Sequence, residues 1–80
     1  MLESVASVQA LPEYRLRIRF SNGSEAIVNM ERRVRAIRFH ELSDPQMFQT
    51  AQAQGDSVIW RQDSKSIRAT VGELLDSMML

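Results

Sequence analysis

The stretch Tyr14-Arg15-Leu16-Arg17-Ile18-Arg19-Phe20-Ser21-Asn22-Gly23-Ser24-Glu25-Ala26-Ile27-Val28-Asn29-Met30 decides the fold. Its first half alternates Tyr14, Leu16, Ile18 and Phe20 with Arg15, Arg17 and Arg19 at period two, which places one apolar and one cationic face on a strand. Ser21-Asn22-Gly23 is turn chemistry, and the chain returns from Glu25 to Met30 as the second arm of a hairpin. The register follows from the side chains. A two-residue loop at Asn22-Gly23 sets Ile18 on the face of Ile27, leaves Glu25 on the apolar side and strands Val28 among the arginines. A three-residue loop closed by glycine in the left-handed region sets Ile18 opposite Ala26, Leu16 opposite Val28 and Tyr14 opposite Met30, with Arg19 meeting Glu25 on the wet side. A slip of one residue turns every side chain to the wrong face, so the second register is expected.

Upstream, Val5 to Ala10 alternates weakly as a further strand, which stops at Leu11-Pro12 because proline has no N–H for a ladder. Downstream, Met30, Val34 and Ile37 fall at i, i+4 and i+7, which predicts a short helix over Glu31–Arg38 with four arginines on its outer side. Phe39 and Leu42 return to the core. Asp44-Pro45 starts a helix, aspartate as cap and proline at the first position, and Met47 and Phe48 follow. Gly55-Asp56 turns into Val58-Ile59-Trp60, a second hairpin. Thr70 and Glu73 form a capping box ahead of the stripe Val71, Leu74, Leu75, Met78 and Met79, which predicts a helix over Thr70–Met79. The fold class expected is α+β: a small antiparallel sheet of about four or five strands, with hairpins over Tyr14–Met30 and around Gly55, packed against one or two short helices.

Eighty residues make one small domain over 1–80. Cores of this size supply only about 3–5 kcal/mol. With no cysteine, the chain has neither a disulfide framework nor a thiolate metal site, which suits a reducing compartment. Glu3 stands where a secretory leader carries basic residues, and no apolar run approaches the roughly 20 residues of a membrane span, so a cytoplasmic location and no membrane contact are expected.

Tyr14 to Phe20, Asn22-Gly23, Phe39 with Leu42, Asp44-Pro45 with Phe48, and Ile59-Trp60 stand in an order that resembles the bacterial family called domain of unknown function 2442. The similarity runs over about Val5 to Ile67. The resemblance implies an α+β fold on an antiparallel sheet, small standalone proteins, some of them encoded beside toxin-like partners, and longer relatives with an added helix-turn-helix domain. Two departures stand out: Arg61-Gln62-Asp63 follows Trp60 where the family often has proline and then glycine, and eighty residues leave no room for a DNA-binding domain.

Candidate chemistry is sparse. His40 is the single histidine, so a catalytic triad has to use it and a multi-histidine metal site is excluded. The carboxylates mostly have local roles as caps, turns or ion pairs, and no enzyme, cofactor or metal is expected. The arginines are the asymmetry. Arg15, Arg17, Arg19, Arg32, Arg33, Arg35 and Arg38 stand against only Glu25 and Glu31, a local balance of +5 set against −5 elsewhere in a chain whose net charge is zero. Nine of the ten basic residues are arginine, which favours planar contact with carboxylate or phosphate. These seven residues are the candidate partner-binding set for a protein with an acidic surface. The alternative is nucleic acid gripped by the same strand face and the Glu31–Arg38 segment, and a solvated, aggregation-resistant face is the bland reading. Tyr14 and Phe20 project to the apolar side, unlike the stacking platforms of single-strand binders. Trp60 reads as core, Met78 and Met79 as gap fillers or an adaptable docking surface. The oligomeric state stays open, a homodimer among the alternatives. Function is expected to be that of a non-catalytic interaction or regulatory module, antitoxin-like on the resemblance alone.

Overall fold

The structure, a computed structural model, describes residues 4–76, apart from the side chains of Arg38 and Asp76. Strands β1 (Val5–Leu11), β2 (Arg15–Phe20) and β3 (Glu25–Asn29) form one antiparallel sheet in that order. Strands β4 (Gln52–Gln54), β5 (Ser57–Gln62) and β6 (Lys65–Thr70) form a second. Two 3-10 segments, Arg33–Arg35 and Ile37–Ser43, and helix α1 (Pro45–Phe48) connect them, and α2 (Val71–Asp76) follows β6. The class is α+β as expected, but the strands among the described residues number six and divide between two sheets.

The β2–β3 register is the one that the side chains require: Ile18 lies opposite Ala26, Leu16 opposite Val28 and Arg19 opposite Glu25. Phe20 N–H donates to Ser24 O at 2.8 Å and Gly23 N–H to Phe20 O at 3.0 Å, closing the three-residue loop with Gly23 at φ +91°. Tyr14 sits just ahead of β2, in the turn after Pro12, where Glu13 and Tyr14 take φ of +64° and +59°. Its opposition to Met30 survives, because Met30 N–H donates to Tyr14 O at 2.8 Å. The left-handed conformation costs a non-glycine residue about 1–2 kcal/mol. Tyr14 is held there by its ring, edge-on to Phe48 at 5.3 Å, and by its hydroxyl, which donates to Ser43 O. Val5 and Val8 both turn inward although three positions apart, an offset that simple alternation forbids; a bulge between Val5 and Ser7 supplies the extra residue.

Beyond Trp60 no further strand is expected from the sequence, yet β5 runs on to Gln62, turns at Asp63 (φ +56°) and returns as β6. Ile67 and Ala69 face the core along it. Leu16, Ile18 and Val28 from the first sheet, Val58, Trp60 and Ala69 from the second, Phe39, Leu42, Met47 and Phe48 from the connecting elements, and Leu74 from α2 share one core. Backbone bonds of 2.9 Å from Val5 N–H to Gly55 O and from Val71 N–H to Asp56 O tie the parts together. Trp60 is fully buried and stacks on Phe48 at 6.4 Å, which makes it a core residue.

The segment after β3 departs from the helix predicted over Glu31–Arg38. Met30 and Val34 are buried and joined by Val34 N–H donating to Met30 O at 3.0 Å. Ala36 then adopts extended backbone (φ −75°, ψ 151°), which ends the turn and rotates the next residue away. Ile37, expected on the same stripe, is therefore 97% exposed. Asp44 caps α1 by accepting from Gln46 N–H at 3.0 Å, with Pro45 in the first helical turn. The capping box of α2 is reciprocal: Glu73 N–H donates to Thr70 Oγ1 at 3.2 Å and Thr70 N–H to Glu73 Oε1 at 3.1 Å. The continuation predicted to Met79, with Met78, lies outside the described residues.

Candidate functional site: the arginine face of the first sheet

Alternation along three paired strands builds the outer face of the first sheet. It carries Ser7, Gln9 and Leu11 from β1, Arg19, Arg17 and Arg15 from β2, and Glu25, Ile27 and Asn29 from β3, each row aligned by the pairing. The side chains of Arg15, Arg17 and Arg19 are 46%, 45% and 56% exposed, so all three guanidinium groups reach solvent. Glu25 is their main counter-charge. One of its oxygens accepts from Arg19 Nη2 at 2.7 Å and Nε at 3.2 Å, and the other lies 3.8 Å from Arg17 Nε. The hydrogen bond from Arg19, then the charge of Arg19, then that of Arg17, hold the Glu25 carboxyl below its ordinary value. Arg15 donates from Nε to Pro12 O at 3.3 Å and lies 3.9 Å from the Glu13 carboxylate.

Exposed ion pairs of this kind are worth about 0–1 kcal/mol, so the arginines exchange partners at little cost. Two carboxylates balance three guanidinium groups, which leaves the face cationic. Ile27 lies opposite Arg17 and is 42% exposed, an apolar residue set within the charged rows. The arginine pattern alone does not reveal it; the register does, because placing Arg17 on the wet face places Ile27 beside it.

The other four candidate arginines do not join this face as a group. Arg32 is exposed and makes no ion pair among the described residues, and Arg35 pairs with Glu31 one turn earlier at 3.7 Å. Arg33 is a correction to the outward-facing expectation. Its Nη2 donates to Glu73 O in α2 at 2.6 Å, its guanidinium lies 5.8 Å from the Phe39 ring, and its Nε is buried. It fastens the 3-10 segment to α2, because the short turn points position 33 at the helix instead of at solvent. The side chain of Arg38 lies outside what the structure describes.

His40 is exposed on the second 3-10 segment, and its carbonyl accepts from Ser43 Oγ at 2.8 Å. Among the described residues no three His, Asp or Glu side chains converge as a metal site. A groove of about 350 Å³ opens where β1 meets α1, walled by Leu11, Pro12, Tyr14, Pro45 and Phe48 with Glu13 on its rim. No helix among the described residues is long and apolar enough to cross a membrane. Compared with family models, with curated proteins and with solved structures, the chain matches none.

Proposed function

We propose that this chain is a non-catalytic protein-interaction or regulatory module that takes an acidic protein partner on the outer face of its first sheet. The observation that carries the reading is the stripe Arg15, Arg17 and Arg19, half exposed and loosely countered, beside the exposed Ile27. Guanidinium forks suit carboxylates, and an apolar contact ringed by polar groups is how protein interfaces are commonly built. A single-strand nucleic-acid binder uses exposed aromatic platforms, whereas Tyr14 and Phe20 pack against the core here. The resemblance to the domain of unknown function 2442 family adds the antitoxin-like role.

The test is capture with tagged protein. Wild type should retain an acidic partner that the combined variant Arg15→Ser, Arg17→Ser and Arg19→Ser loses, while both melt at similar temperatures because these side chains lie on the wet face. An unchanged set of captured proteins removes the proposed surface. Fluorescence anisotropy against single- and double-stranded DNA and RNA should stay flat at low salt; binding that weakens steeply with salt replaces the protein partner by a nucleic acid.

A further inference from the structure

We infer that the free edge of β3 pairs antiparallel with β3 of a second copy, centred on Ile27. Among the described residues, β3 has a paired neighbour only on the side of β2. The bonds Phe20 N–H to Ser24 O and Met30 N–H to Tyr14 O fix the phase of the β2–β3 ladder. By the alternation of an antiparallel pair, Ala26 and Val28 direct their backbone groups to β2, and Glu25, Ile27 and Asn29 direct theirs outward. This edge is weakly protected: Glu25-Ala26-Ile27-Val28-Asn29 contains no lysine, proline or bulge, its one charge, Glu25, lies at its end, and Ile27 at its centre is exposed. The β6 edge differs, since Lys65 and Arg68 lie along it.

The occupant follows from complementarity. With Ile27 opposite Ile27 of the second copy, each Glu25 faces Asn29 and not another Glu25. The carbonyl oxygen of the Asn29 side chain accepts from Glu31 N–H at 2.9 Å, which leaves its amide N–H groups to donate to the facing carboxylate. A register centred on Glu25 instead opposes two carboxylates, a destabilising pair. Five residues per strand make a small contact, so the dimer is weak and concentration-dependent. It places the arginine stripes of both copies on one continuous face, but it rests on the edge geometry and not on the acidic-partner reading.

Sedimentation equilibrium and amide hydrogen exchange of the full chain, at concentrations about a hundredfold apart, test it. The expected result is a shift from monomer to dimer, with the amides of Glu25, Ile27 and Asn29 gaining severalfold protection only at the higher concentration and those of Ala26 and Val28 protected at both. Ile27→Lys brings two ammonium groups together at the centre; it should abolish the dimer and leave the melting temperature of the dilute protein unchanged. A monomer at every concentration, a dimer whose Ile27 amide stays unprotected, or a dimer that survives Ile27→Lys overturns the inference. Binding of an acidic partner is read separately, by the serine variants of β2.

Discussion

Replacing Gly23 by alanine isolates the backbone requirement of the turn that sets the register. Gly23 holds φ +91°, and a Cβ built there meets no atom within 4 Å, so the substitution creates no clash and its cost is conformational. A side chain in this region costs about 1–2 kcal/mol, offset by roughly 0.4–1 kcal/mol because alanine also restricts the unfolded chain. The net loss is about 1 kcal/mol, a sizeable share of the roughly 3–5 kcal/mol available to such a core, and it corresponds to about 4–8 °C in melting temperature. Trp60, the only tryptophan and fully buried, reports the transition by fluorescence in urea or on heating. Gly23→Asn should recover part of the loss, since asparagine tolerates positive φ. Equal stability of wild type and Gly23→Ala refutes the glycine-closed loop, and a loss several times larger refutes the claim that the site is sterically open.

Three further outcomes follow from single contacts. Tyr14→Phe keeps the ring against Phe48 and removes the hydroxyl bond to Ser43 O, so chemical denaturation should show a loss of about 0.5–1.5 kcal/mol; no change would detach Tyr14 from that carbonyl. Arg33→Met removes the charged donor to Glu73 O, and should cost about 1.5–3 kcal/mol and speed amide exchange in α2, whereas a neutral effect would return Arg33 to the surface set. Glu25 titrates below its ordinary 4.5 in the folded protein, so the stability it contributes is complete above that ordinary value and is lost as pH falls through the lower, folded one. A chemical-shift titration should place its midpoint under 4.5 and see it rise in Arg19→Gln; a midpoint indifferent to Arg19 contradicts the pairing.

The legible parts of this chain are those where two signals agree. Arginine alternation and Gly23 together specify one register, Asp44 with Pro45 specifies a helix start, and Thr70 with Glu73 specifies another; the structure has all three. The failures come where one signal stands alone. The i, i+4, i+7 spacing of Met30, Val34 and Ile37 presumes continuous helix; one extended residue, Ala36, exposes Ile37, and the 3-10 turn before it points Arg33 at α2. The weak alternation of β1 conceals a bulge, since an extra residue erases the parity by which faces are read. Four of the six residues of β6 are polar, and its turn depends on Asp63 in a left-handed conformation that composition does not announce. At the candidate site, Arg15, Arg17 and Arg19 are readable from alternation, whereas Ile27 becomes readable only through the register that sets it opposite Arg17 on the same face.

The proposed acidic partner docks on the outer face of the first sheet. Backbone and arginine side-chain NMR shifts, recorded as the captured acidic partner is added, test it most directly. The largest changes should fall on Arg15, Arg17, Arg19, Gln9 and Ile27, with Arg61, Lys65 and Arg68 of the second sheet unmoved. Changes concentrated on the second sheet, with the β2 arginines silent, would contradict it.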